Sequence, residues 1–184
     1  MSARDPDLVS SGGSRTWSVR GRNFVVAITQ LEAGDRLTEH DVPDEYALLV
    51  QDDAVVCVEH DGRAQVTAHS PALVVVPAGT STVYAAAPTT VVRVFTARCD
   101  EQVRRAANHT AGADPRTAPL PEPAETGSDG VRVHYLRDIP NEEGRFGRIF
   151  RTASLMVNWF PVHEGPATPN ASRRTPTGIS SRCR

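Results

Sequence analysis

The chain has 184 residues, 39% of them hydrophobic and 5% aromatic, with 14 Pro and 13 Gly, a composition that fits one packed core plus a good deal of connecting sequence and argues against two large domains. The net charge of −2 is unevenly spread: residues 1–165 carry 16 Arg and 22 acidic residues, whereas residues 166–184 carry 4 Arg and no acid. That basic end lacks the aromatic side chains or dense cationic run of a nucleic-acid or membrane tail, so neither partner is expected.

Residues 1–15 are polar and read as a disordered lead. Phe24 to Leu31 is apolar and β-branched and predicts a strand. Further strands are predicted over 46–50, 54–60, 63–69, 72–76, 82–86 and 90–96, with Asp61-Gly62 as a tight hairpin turn. Short strands near ten-residue spacing, with no long helical period between them, predict an all-β antiparallel fold. Alternation nominates Val26, Ile28, Val56, Val58, Val74, Val76, Val92 and Val94 as inward residues. Asp100 to Asn108 predicts one short helix with Asp100 as its N-cap. With that helix, residues 99–130 form a Pro-rich linker. Strand-like sequence resumes at 131–136 and 150–160 before the unpatterned, disordered basic tail of 166–184.

A faint repeat at an offset of 131 aligns Gly34 with Gly165 and Phe24-Val25-Val26 with Leu155-Met156-Val157. It casts residues 131–165 as the start of an incomplete second copy, whose isolated strands must dock onto the first unit or pair with another chain. The three cysteines, Cys57, Cys99 and Cys183, are odd in number and without a CxxC pair. Together with a polar N-terminus and no apolar run of about 20 residues, they predict a reduced, cytoplasmic protein.

Two segments carry chemistry-bearing residues at ordered spacing. The first is Gly34 followed after five residues by His40-Asp41-Val42-Pro43-Asp44-Glu45-Tyr46, and the second is Pro77-Ala78-Gly79-Thr80-Ser81-Thr82. They resemble the two motifs of the cupin superfamily over roughly residues 17–97. The resemblance implies a jelly-roll barrel, RmlC-like, at residues 16–98. In that family two His and a Glu of the first motif and a His of the second bind a metal. Here the positions fall on His40, Val42, Tyr46 and Thr82, which leaves a single imidazole, too few for a mononuclear site.

The expectation is therefore a metal-less domain without cofactor or catalytic residue, whose barrel mouth, at His40, Tyr46 and Thr82, binds a small organic ligand. Its role is structural, dimerising through edge strands, or ligand-binding. The alternative is a fragment of a two-barrel metalloenzyme of oxygenase or isomerase type. Asp44 and Glu45 are expected to solvate a turn, Cys57 to be a small buried hydrophobe, and His60 and His69 to be exposed.

Overall fold

The computed structural model describes residues 4–51, 53–112, 130–138, 148–151, 154 and 156–159. Thirteen strands lie among these: β1 Leu8–Val9, β2 Arg15–Arg20, β3 Phe24–Leu31, β4 Arg36–Val42, β5 Tyr46–Val50, β6 Val55–His60, β7 Val66–His69, β8 Ala72–Val76, β9 Gly79–Ala85, β10 Thr89–Thr96, β11 Arg132–Tyr135, β12 Arg148–Arg151 and β13 Met156–Trp159. One short helix, α1 Asp100–Arg105, and a 3-10 turn, His109–Gly112, follow β10.

The pairing is nested. β6 pairs β7 through the Asp61-Gly62 turn, β5 pairs β8, β4 pairs β9 and β3 pairs β10, all antiparallel. A ribbon so paired, rolled so that successive strands alternate between layers, is a jelly roll. One layer is a seven-stranded sheet in the order β1-β2-β3-β10-β5-β8-β11, the other a four-stranded sheet in the order β4-β9-β6-β7. Among the described residues no strand pair joins the two sheets, so the expected closed barrel is an open sandwich. Asp61 and Gly62 both take positive φ, 45° and 68°, the conformation a two-residue primed turn requires.

The sandwich interior holds Leu37, Tyr46, Leu48, Val56, Val83 and Phe95 with a ring of smaller aliphatics. A second, smaller apolar cluster lies on the opposite face of the large sheet, where Ala47, Leu49, Leu73 and Val92 meet Leu136 of β11's end, Phe150 of β12 and Val157 of β13. β5 and β8 are thus buried on both faces and show no alternation. This corrects half of the inward list. Val56, Val58, Val74 and Val76 belong to the interior cluster, whereas Val92, Val26 and Val94 belong to the outer one, and Ile28 is 43% exposed.

The predicted disordered lead is instead tied down over residues 7–16. β1 pairs β2, and the hydroxyl of Ser10 and the amide of Ser14 donate to the buried carboxylate of Asp35. Asp35 is pushed up by burial, but these bonds and one from the Arg36 amide outweigh that and hold it below its ordinary value. The helix stops at Arg105, three residues short of expectation, and its N-cap is Cys99 rather than Asp100. β11 docks onto the first unit by pairing with β8, one of the two outcomes the sequence allowed. Met156–Trp159 pairs with β12. Gly165, the anchor of the suspected repeat, and the tail at 166–184 lie outside the described residues.

Candidate functional site

The three nominated mouth residues do not converge. Tyr46 is fully buried between the sheets, its ring stacked on Phe95 at 4.7 Å between centroids and its hydroxyl 2.9 Å from Ser81 Oγ. Burial pushes the Tyr46 phenol up to about 12, against the pull of Arg93 and Ser81. Thr82 lies half-buried on the outer face of the small sheet, its Oγ1 2.9 Å from that of Thr38. His40 is exposed.

The cause is a bulge. β4 shifts register against β9 between Glu39 and Val42, and Asp41, with φ 48°, absorbs the extra residue. Glu39 and Val42 are both buried as a result, and His40, one residue off, is not. On β9 the pairing places Ser81 beside Glu39 on one side and His60 on the other, so Thr82 must face outward.

The polar group that does form inside the sandwich is centred on Glu39, which is 4% exposed. Its Oε1 accepts from Arg93 Nη1 at 2.6 Å, and its Oε2 accepts from Gln102 Nε2 at 2.6 Å and Arg105 Nη1 at 3.4 Å. Arg93, fully buried, also donates from Nη2 to Thr29 Oγ1 at 3.3 Å, and Thr29 pairs with Thr16 at 2.9 Å. This carboxylate is neutralised and hydrogen-bonded by side chains from β10 and α1. Sequence reading missed it, though a signal was there: Arg93 sits in an otherwise apolar strand, and a buried Arg demands an acidic partner.

His60 is buried rather than exposed, while His69 is exposed and pairs with Val55. His60 Nε2 lies 3.0 Å from the carbonyl oxygen of Ala78, which can only accept, so Nε2 carries the proton. Nδ1 is buried without a hydrogen-bond partner among the described residues. Cys57 is half-buried on the outer face, accepting from Gln65 Nε2 at 3.0 Å, and is not an interior hydrophobe.

Asp44 and Glu45 do not solvate a turn. Asp44 is 3% exposed and accepts from Arg98 Nε at 2.7 Å and Nη2 at 3.0 Å, with the Thr96 hydroxyl also on it. Glu45 accepts from Arg132 Nη2 at 3.2 Å and from the Ser154 amide at 3.1 Å, tying β11 and the C-terminal segment to the start of β5.

The metal that the cupin resemblance implies does not fit these residues. Val42 is in the apolar interior, Thr82 is on the outer face, the Tyr46 hydroxyl is engaged by Ser81, and Glu39 is held by two arginines and an amide. Among the described residues no three His, Cys, Asp or Glu side chains gather as a metal would need. No helix among them is long and apolar enough to cross a membrane.

No family model matches the chain, and no curated protein matches it. Among solved structures it is similar to a cupin superfamily protein from Desulfitobacterium hafniense (9% identity, 52% of this chain and 83% of that one, TM-score 0.41) and to an RmlC-like cupin from Desulfovibrio desulfuricans (19%, 52% and 96%, TM-score 0.41). It is also similar to salicylate 1,2-dioxygenase from Pseudoaminobacter salicylatoxidans (15%, 54% and 29%, TM-score 0.44).

Proposed function

We propose that this chain is a metal-free, cupin-like jelly roll with a structural or assembly role and no catalysis of its own. The observation that carries this reading is the saturation of Glu39: both its oxygens are taken by Arg93, Gln102 and Arg105, so its carboxylate is an internal tie. The rest of the interior supports it, because aliphatic side chains and Tyr46 occupy the space between the sheets. The test is elemental analysis of protein expressed with iron, manganese, nickel and zinc in the medium. Less than about a tenth of an equivalent of each is expected. One equivalent of a transition metal that survives dialysis would overturn the reading.

A second reading, small-ligand binding, is favoured by His60. Its Nδ1 is buried without a partner among the described residues, and a hydrogen-bonding group of a ligand would satisfy it. Screening hydroxylated and amide-bearing compounds by thermal shift against the parent and His60→Phe tests it. A stabiliser whose effect is lost in the variant is expected if this reading holds, and equal shifts in both proteins would sink it. The two-barrel fragment gains no such support, since β11, which that reading assigns to a second barrel, completes the large sheet of the first.

A further inference from the structure

β2 is six residues long, Arg15–Arg20, and pairs with β3 along its whole length, whereas β1 pairs with only two of its residues, Arg15 and Thr16. Alternation along the strand turns the amide and carbonyl of Ser14, Thr16, Ser18 and Arg20 away from β3, toward the rim of the large sheet. A bare rim of this kind is a template on which a strand of another polypeptide can pair. From Ser18 onward it is closed by groups that belong to no strand. The Asp7 amide donates to the Thr16 carbonyl at 2.8 Å, and the Asp7 carboxylate accepts from the Ser18 amide at 2.6 Å. The Ala107 amide donates to the Ser18 carbonyl at 3.4 Å. Asn108 closes the last position with both halves of its carboxamide: Oδ1 accepts from the Arg20 amide at 2.7 Å, and Nδ2 donates to the Arg20 carbonyl at 2.8 Å.

We propose that residues 106–109 are an autoinhibitory strap, in which Asn108 stands in for a strand residue and keeps the β2 edge shut against strand addition by a second polypeptide. A carboxamide carries a carbonyl acceptor and an N–H donor on one planar unit, the set that a residue of a neighbouring strand offers. The chemistry at this position is restrictive. An aspartate would keep the acceptor for the Arg20 amide but set an oxygen against the Arg20 carbonyl, and an alanine would supply neither group. The Arg20 side chain adds a third tie, donating from Nη1 to the His109 carbonyl, so one residue of β2 grips two consecutive residues of the strap. The helix that leads into the strap is anchored in the interior by Gln102 and Arg105 on Glu39, which fixes where the strap lands. The opposite rim of the same sheet is covered by a true strand, β11 on β8. The strap acts in the same way whether or not a metal or ligand is bound, so it goes beyond the assembly role argued above and does not rest on it.

Amide hydrogen exchange of the full chain, read residue by residue by NMR, tests the strap. In the parent the Ser18 and Arg20 amides, although at a sheet rim, should be protected at least about a hundredfold over an unstructured chain. Asn108→Ala and Asn108→Asp should each speed exchange at Arg20 by about tenfold or more, while Val19, whose amide faces β3, is unchanged. Thioflavin T fluorescence of the agitated variants should then rise after a lag at least about twofold shorter than the parent's, as an opened edge adds strands. Gly79→Ala, strained at φ 126° on the other sheet, is the control for lost stability alone, and its lag should stay longer than that of either Asn108 variant. If the Arg20 amide of the parent exchanges like an unstructured chain, the edge is not shut and the proposal fails before any variant is made. It also fails if both Asn108 variants keep the parent's lag, or if Gly79→Ala shortens the lag as much as they do. None of these outcomes bears on metal content, which the elemental assay reads separately.

Discussion

Glu39 and Arg93 are the pair on which the interior depends, and their energetics are asymmetric. Forming a buried ion pair gains little net stability, but removing one partner strands the other charge in a low-dielectric interior. Arg93→Met is expected to lower unfolding stability by about 3–5 kcal/mol in urea titration, since Glu39 loses its 2.6 Å partner. The double change Glu39→Leu with Arg93→Met should recover most of that loss. A double variant as unstable as the single one would show that the pair is not the source of the cost. Gly79, kept from the second motif, has a different reason to be glycine. Its φ is 126°, and a Cβ there would lie 2.6 Å from Asp61 Oδ2, the carboxylate whose other oxygen accepts from the Thr80 amide at 2.9 Å. Gly79→Ala is expected to lower the melting temperature by several degrees, because it brings both strain and a clash at a hairpin junction.

At the scale of elements, the attachments of β1 and of β11 with the C-terminal hairpin are each read out by pH. His134 on β11 packs against Phe150 of β12, ring centroids 4.2 Å apart, with Nε2 buried and, among the described residues, without a partner. Burial, then the neighbouring Arg132, holds its pKa below 6.5. Its neutral form is therefore favoured in the folded state. The stability this contributes is whole above the unfolded value of 6.5 and is lost as pH falls from there toward the depressed folded value. Asp35 works at lower pH. Its folded pKa lies below 3.8, so its contribution is whole above 3.8 and is lost as pH falls through the folded value. Hydrogen exchange as a function of pH is expected to show β11 and β12 amides losing protection first, and residues 7–16 only in stronger acid. His134→Gln should abolish the first step, and Asp35→Asn should blunt the second. If the first step persists in His134→Gln, the assignment to that imidazole is wrong.

At the scale of the whole molecule, two cores lie on opposite faces of one sheet, and their separation sets what truncation does. Removing residues 131–184 would uncover Leu49 and Leu73 and leave Val133 and Val131 absent from the interior's flank. Such a truncated chain is expected to bind a hydrophobic dye strongly and to aggregate, while the jelly-roll strands β3–β10 keep their far-ultraviolet signature. A monomeric truncated chain with no dye binding would mean that the outer cluster contributes little.

The strands of the jelly roll were legible in the sequence where apolar, β-branched residues ran between turn residues. Phe24–Leu31, Tyr46–Val50 and Ala72–Val76 were found with their bounds, and so was the Asp61-Gly62 turn. β2 and β4 were not, because Arg15–Arg20 and Arg36–Val42 alternate polar and apolar residues too unevenly to stand out and bury Thr16, Ser18 and Glu39 as freely as Leu37. The two motifs marked the correct region, yet they named His40 and Thr82 where the interior holds Glu39 and Ser81. A period of two separates a strand's faces without saying which is inside, and a one-residue bulge at Asp41 exchanges them. Local composition thus determined which segments extend and where they turn. Only the tertiary structure decided which face each side chain joins, because that choice depends on partners far along the chain: Arg93 for Glu39, α1 for the interior, and the C-terminal hairpin for a sheet that is apolar on both sides.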